Sequence, residues 1–348
     1  MHPLATSCQS VFRLIKLHAR TFALAAAFIF SAAQAHAQGC VVARGGGANA
    51  IVDGDGYLEK GHWEVSLAYR HFNSGRHFVG DDEQTQRQAL HNEIINHSNF
   101  VDLGITYAYT KRLNLTITLP GSWHDRSQLS NNVRIHTQAH GLGDIRFSAN
   151  FWVWDPDSHP RGNISVGLGY KTKSGDAEAQ DYFPRPVNPS IGYVDSSIQP
   201  GDGGSGGTVE LQGFYRLIGG LSAYGNGFYL FNPDERVEAT GWSIPDQYMV
   251  RGGVSYAVSQ VKGLAASLGL RNEGVVAHDL FGGSLGRRRP GFAVSVEPGV
   301  TYTKGRYSGT ITFPVAIHRN RVTSYGSLKA GDAAFADYTF NASFSVRL

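Results

Sequence analysis

The last segment of this chain restricts its possible folds more than any other. Over residues 335–348, Phe340, Ala342, Phe344, Val346 and Leu348 alternate with Asn341, Ser343, Ser345 and Arg347, and Asp337 and Thr339 extend the polar set. Successive side chains of a strand point to opposite faces, so this stretch has one oily side and one wet side. In a bilayer such a strand has one stable setting. A sheet edge left in hydrocarbon would strand its N–H and C=O groups, so the sheet must close into a barrel around a wet lumen.

The same rhythm recurs upstream. Trp63, Val65, Leu67 and Tyr69 oppose Glu64, Ser66 and Arg70. Val101, Leu103, Ile105, Tyr107 and Tyr109 oppose Asp102, Gly104 and Thr106. Ile164, Val166, Leu168 and Tyr170 oppose Ser165, Gly167 and Lys171. Comparable segments fall at 113–119, 145–153, 209–217, 248–256, 264–271, 292–301 and 307–317, and 221–231 is aromatic and Gly-rich with ambiguous faces. The count is about twelve, and single-chain bacterial barrels have even numbers. The expected fold is all-β: a transmembrane antiparallel up-and-down β-barrel of about 12 strands over residues 62–348.

Connection lengths support this reading. Short ones at 110–112, 155–161, 218–220, 259–263 and 303–305 alternate with long ones at 73–97, 121–141, 174–206, 232–246, 274–290 and 319–334. An up-and-down barrel sends odd and even connections to opposite ends, with short turns in the periplasm and long loops outside. Tyr107, Tyr109, Tyr170, Tyr256, Tyr302 and Tyr307 near strand ends suit an interfacial girdle. Pro298 and Pro314 fall inside expected strands and remove ladder donors, which predicts a bulge at each. Trp152 and Trp154 fall on the polar face of their strand, which predicts a register change or a lumen lining.

The first residues read as an export signal. Arg13, Lys16 and Arg20 precede an apolar run at 22–33, and Ala35-His36-Ala37 has the form of a cleavage site. The run is too short to span a bilayer as a helix. Residues 1–37 are therefore read as a cleaved signal peptide, and residues 38–61 as a periplasmic or lumen-plug segment. Cys8 leaves with the signal, so Cys40 stands alone, as an unmodified thiol or a lipidated N-terminus.

The net charge of +3 gives no reason to expect nucleic acid as a partner. The expected partners are outer-membrane lipids and lipopolysaccharide, a small-molecule solute and the barrel-assembly machinery. The expected location is the bacterial outer membrane. Candidate lumen and selectivity residues are Arg70, Asp102, Arg146, Glu210, Arg251, Arg271, Glu297 and Asp337, all on the wet face. They either select solutes in a water-filled passage or fill the lumen as a salt-bridge network. A barrel of more than eight strands has room beyond its own side chains, which favours a passage.

No catalytic residue, cofactor or metal site is expected. Gly282-Gly283-Ser284-Leu285-Gly286 fits a nucleophile-elbow spacing, but that motif needs a strand-to-helix turn. An outer-membrane lipid hydrolase is accordingly the weakest alternative, behind a plugged structural or binding barrel. Gly201 to Gly206 fits a phosphate-loop spacing without a βαβ unit and is read as a flexible loop. Asp53-Gly54-Asp55-Gly56 lacks the later ligands of a calcium loop. The fourteen His are dispersed. Arg287, Arg288 and Arg289 form a basic run suited to lipopolysaccharide phosphates or to plain solvation.

Gly141-Leu142-Gly143-Asp144, leading into Ile145-Arg146-Phe147-Ser148-Ala149-Asn150-Phe151, resembles a feature of the outer-membrane proteins named for the MetA pathway of phenol degradation. The strand at 63–70 and the turn before 113–119 are similar too. The resemblance implies a β-barrel acting as a transporter or porin-like channel for aromatic or other hydrophobic compounds, with no catalytic residues. It also implies a turn fixed by the Gly-Asp pair. Leu348 departs from the aromatic residue common at the end of such barrels.

Overall fold

The computed structural model describes residues 57–322, 324–325, 328–329 and 331–348. The signal-like stretch, Cys40 and Asp53-Gly54-Asp55-Gly56 lie outside these residues. The described residues form a closed antiparallel barrel of twelve strands. The strands are β1 (Trp63–Val79), β2 (Ile95–Ala108), β3 (Leu113–Ser130), β4 in two arms (Val133–Leu142 and Arg146–Trp152), β5 (Gly162–Lys171) and β6 (Gly206–Arg216). Then come β7 (Leu221–Phe231), β8 (Gln247–Ala257), β9 (Leu264–Val275), β10 (Gly291–Lys304), β11 in two arms (Tyr307–Thr312 and Val315–Arg321) and β12 (Ala333–Arg347). Each strand pairs with the next, and β12 returns to β1 from Glu64↔Arg347 to Phe78↔Ala333, which closes the wall. No helix among the described residues is long and apolar enough to cross a membrane.

The alternation sorts the side chains as a membrane requires. Outward positions of β5 are Ile164, Val166, Leu168 and Tyr170, all well exposed, while inward Asn163, Ser165 and Lys171 are buried. Leu67, Leu115, Phe147, Leu211, Leu268, Val300, Ile311 and Phe344 continue the apolar outer wall. Aromatic rings border it at both ends. Trp63 packs on Tyr107 at 4.7 Å near the short turns, and Tyr69 stacks with Trp123 at 6.1 Å toward the long loops. On β10 the border residues Phe292 and Tyr302 are both outward. The ten steps between them, at roughly 3.3 Å each and about 40° of tilt, span about 25 Å, the height of an outer-membrane apolar band.

Several long connections are themselves strand. β3 and the first arm of β4 run as a hairpin to a tight turn at Asn131 and Asn132, both at positive φ, so the expected loop at 121–141 is a paired arm. β1 and β2 likewise extend into the expected loop at 73–97. Hydrogen bonding of the backbone drives this, since the polar side chains there mask a pairing that continues above the apolar band.

The prolines break the ladder without shifting the register. Phe313 N–H donates to the Pro298 carbonyl and Thr339 N–H to the Pro314 carbonyl, both at 2.9 Å, and neither proline has an N–H to return. Pairing on either side keeps one register (Val296↔Val315 and Gly299↔Thr312). The expected bulges at the prolines are therefore absent. The shift falls instead between Val294 and Ser295, and a second set lies at Phe72–Ser74–Arg76.

Candidate functional site: a charged lumen and its inner loop

Inward side chains from β1, β8, β9 and β10 meet in one buried cluster. Glu297 accepts from Arg251 Nη1 at 3.0 Å, and Glu273 accepts from Arg271 Nη2 at 2.8 Å. Arg271 Nη1 lies 3.7 Å from Glu297, and Arg70 Nη2 lies 3.6 Å from Glu273. Arg70 thus reaches across the lumen from β1 to β9. Its Nε donates to Asn341 Oδ1 at 3.1 Å, and Arg251 Nε donates to Asn226 Oδ1 at 2.6 Å. Taking charges out of water is costly unless they are paired and hydrogen-bonded, and this cluster meets most of that demand internally.

A second group lies on the neighbouring wall. Arg146 Nη2 donates to Asp102 at 3.1 Å, and Glu210 is hydrogen-bonded by Asn150 and Thr208. The structure thus gathers Arg70, Arg251, Arg271 and Glu297 in one cluster and Arg146, Asp102 and Glu210 beside it. Asp337 lies apart. Its side chain is half exposed and bridges Arg76 at 2.6 Å and Arg319 at 2.8 Å.

The wall is interrupted where β4 changes arms. Residues 143–145 face only 119 and 120 of β3, and β5 pairs with the second arm alone. The connection 172–205 fills the notch. Asp144 accepts the N–H groups of Gly175 at 2.8 Å and Asp202 at 3.0 Å. Lys171 Nζ bonds Asp202 at 2.5 Å and lies 3.6 Å from Asp144. The backbones come so close that a Cβ on Gly201 would lie 2.5 Å from the Gly175 carbonyl carbon. Only glycine permits that approach. The stretch expected to be a flexible loop, Gly201 to Gly206, is thus mostly buried and held by Asp144, Lys171 and Asp234. The Gly-Leu-Gly-Asp motif anchors a loop as well as starting a strand.

Beyond the notch the loop packs inside the paired arm. Val194 and Ile198 are fully buried against Ala139. Asp195 caps a short 3-10 turn at Ser196–Ile198 and binds two arginines, Arg126 of β3 at 3.4 Å and Arg289 at 2.5 Å. Burial disfavours the Asp195 charge, but Arg289 and Arg126 outweigh it and hold its carboxyl well below the usual range. The basic run divides. Arg288 is buried against Asp279 at 2.6 Å, Arg289 holds Asp195, and Arg287 is exposed. Arg287 and Arg289 lie over Trp242 at 4.8 and 4.9 Å from its ring. Ser284, in the expected chance motif, accepts the Asp279 N–H through its hydroxyl at 2.8 Å.

At the short-turn end, Tyr57 packs edge-on against Trp152 at 4.9 Å and Phe214 at 6.0 Å. Trp152 is a buried inward residue, while Trp154 is exposed. Between the charged clusters and the inner loop lies a cavity partly open to solvent, which Phe100, Pro120, Leu230, Arg271 and Lys171 help to line. Among the described residues no group of three His, Cys, Asp or Glu is arranged to hold a metal ion.

Glu273, Lys171, Asp144, Asp202, Asp195 and Arg126 escaped the candidate set. Glu273 follows Arg271 by two on the same face, so extending the alternation by one step would have found it. The others are joined by contacts between distant segments, for which no spacing rule exists.

No family model and no curated protein matches the chain in sequence. Among solved structures, the barrel resembles the β domain of the Bordetella autotransporter BrkA with a TM-score of 0.46 and 13% identity, over 83% of this chain and 100% of that one. It aligns with the toluene transporter TodX of Pseudomonas putida at a TM-score of 0.41 and 10% identity, over 83% of this chain and 90% of that one. With the COG4313 outer membrane channel from Pseudomonas putida F1 it shares 11% identity and a TM-score of 0.54, covering 84% of this chain and 97% of that one, a likeness of fold.

Proposed function

We propose that this chain is a bacterial outer-membrane barrel that passes small molecules, aromatic and other hydrophobic compounds among them, through its charged lumen. The cavity inside the wall carries this reading. It combines apolar residues (Phe100, Pro120, Leu230) with Arg271 and Lys171, the mixture of apolar wall and few polar groups that small-molecule sites share. The outer apolar band and paired aromatic borders support the membrane setting. The structurally similar Pseudomonas putida protein is an outer membrane channel. The residues quoted for the MetA-pathway resemblance agree with the same reading.

Residues 1–37 are read as a cleaved export signal. Lipids, lipopolysaccharide and the barrel-assembly machinery are the partners this location entails. The chain is read as a non-enzyme, since Ser284 is engaged as an acceptor inside its loop. The test is single-channel recording on purified protein in planar bilayers, with solute uptake into liposomes. Conductance or uptake above that of empty membranes is expected, and neither would reject a conduit.

A second reading, a plugged barrel, has its own support. Tyr57 packs on Trp152 and Phe214 inside the short-turn end, and Arg70 spans the lumen to Glu273. Deleting residues 38–61 separates the two. A plug predicts that conductance emerges on deletion, while an open passage predicts the same conductance in both forms.

A further inference from the structure

We infer that the short-turn rim of β9 to β12 is a binding site for the headgroup of an anionic phospholipid, with Lys262, Lys304 and Arg306 holding its phosphate. This rests on the membrane setting proposed above, and it holds equally for an open or a plugged lumen.

The three cations come together without a counter-charge. The sequence has no Asp or Glu from 247 to 272 or from 298 to 331. Thr303 N–H donates to the Gly263 carbonyl at 2.8 Å. This tie holds the two turns edge to edge, with Lys262 beside one end of it and Lys304 beside the other. A Cβ on Gly263 would collide with the Thr303 carbonyl oxygen, so only glycine permits the approach. Arg347 N–H donates to the Arg306 carbonyl at 2.9 Å, which joins the end of β12 to the patch. Glu64 of β1, at the same rim, is engaged by Arg347 at 3.3 Å. Lys262, Lys304 and Arg306 are exposed, and among the described residues none of them has an ion pair. Toward the long loops, by contrast, Arg76, Arg134, Arg288 and Arg319 each meet a carboxylate.

The position of the patch selects a lipid. Arg306 Nη2 donates to the Tyr307 hydroxyl at 3.0 Å, and the guanidinium carbon lies 5.2 Å from the centre of that ring. Tyr307 points outward and stacks on outward Phe344. The cation is thus laid on the lipid side of the wall, at the height where tyrosines meet headgroups. Lys304 pairs with Tyr307 and so shares its outward face. Next to them Leu268, Val300, Ile311 and Phe344 give acyl chains a continuous apolar surface. A phosphodiester at this rim would accept charge-assisted hydrogen bonds from groups that otherwise meet no acid. A choline or ethanolamine headgroup would bring a further positive charge to the three already there. The glycerol of phosphatidylglycerol or cardiolipin leaves the phosphate charge whole. A soluble polyanion would reach the turn tips but make no use of the ring-backed guanidinium or the apolar column.

The test is native mass spectrometry of the purified full chain, released from detergent after incubation with cardiolipin, phosphatidylglycerol or phosphatidylcholine. Retention of the two anionic lipids is expected to exceed that of phosphatidylcholine at least about tenfold. A triple variant, Lys262→Gln with Lys304→Gln and Arg306→Gln, should lose that preference. Arg236→Gln, at an exposed site in the long connection 232–246, should keep it. Where the triple variant fails the heat-dependent gel shift of a folded barrel, Arg306→Gln alone serves, with anionic retention expected to fall about threefold. Equal retention of anionic and zwitterionic lipid overturns the inference. So does a preference that survives in the folded triple variant, or one that falls as far in Arg236→Gln. Lipid retained without preference sinks this site alone. A folded chain that retains no lipid, phosphatidylcholine included, sinks the site and counts against the membrane setting itself.

Discussion

Asp195 and Arg289, 94 residues apart in sequence, meet through two contacts, with guanidinium nitrogens 2.6 and 2.5 Å from the two carboxylate oxygens. The same carboxylate lies 3.4 Å from Arg126 on β3. One side chain therefore ties the inner loop to the wall and to the connection 276–290. Asp195→Asn removes the shared charge from both arginines. Breaking a buried ion pair on one side costs about 3 kcal/mol. Amide exchange in residues 194–199 should accelerate about 100-fold, while the barrel strands keep their protection. Unchanged exchange there would mean the loop is held by Val194 and Ile198 alone.

The pH dependence of this clasp follows from the depressed Asp195 carboxyl. A folded value below the unfolded one, about 3.9 for Asp, means the unfolded state takes up protons first as pH falls. The stabilisation is complete above the unfolded value and is lost only as pH falls toward the folded one. Opening at 194–199, taken as exchange relative to the intrinsic rate at each pH, should be flat between pH 7 and about 5 and rise in stronger acid. In Asp195→Asn the acid-dependent part should vanish. A rise beginning near neutrality would assign the clasp to another group.

At the notch, Asp144 and the glycines act together. Gly201→Ala would place a Cβ 2.5 Å from the Gly175 carbonyl carbon, and forcing extra volume into packed structure costs about 1–3 kcal/mol. The inner loop has to lift from the wall. Asp144→Ala should do the same by releasing the Gly175 and Asp202 amides. Both variants should migrate as folded barrels yet become cleavable by added protease within 172–205. Wild-type resistance in both would show that the notch does not hold the loop.

The wall was legible in the chain because one rule governs it. Leu268 outward and Arg271 inward follow from parity alone once a strand starts, and lipid on one side enforces that parity at every step. The expected lumen residues were gathered the same way. Parity fails where chains meet out of order. Asp195 reads as an ordinary loop acid until the fold brings Arg126 and Arg289 to it. The hairpin at 121–141 was missed for a different reason. Above the apolar band both faces of a strand are polar or packed on loops, so Trp123, His124 and Asp125 carry no oily rhythm although their backbones are fully paired.

Tyr57 offers a direct probe of the short-turn end. Its edge-on contacts with Trp152 and Phe214 are worth about 1–3 kcal/mol together. On the plugged reading, Tyr57→Ala should raise single-channel conductance or its open fraction, and Tyr57→Phe should leave the wild-type current unaltered. If neither variant alters the current, the ring does not obstruct the path.

Two prolines thin the pairing of β11, Pro298 on neighbouring β10 and Pro314 between its own arms. Pro298 cannot return a hydrogen bond to the residue that donates to it, Phe313, and Pro314 cannot return one to Thr339. The two losses fall side by side and face opposite neighbours, so both ladders thin at one height. The remaining pairing is split into arms of six and seven residues. Each missing bond withholds about 1 kcal/mol, and short arms cooperate less than one long strand. Amides of Ile311, Thr312 and Val315 should therefore exchange at least tenfold faster than those of Val166 and Leu168 on uninterrupted β5. Pro314→Ala restores a donor at a position where the register is already regular, so it should slow that exchange and leave conductance unaltered. Equal exchange on β5 and β11 in the wild type would show that lipid, rather than the ladder, sets the opening rate of the wall.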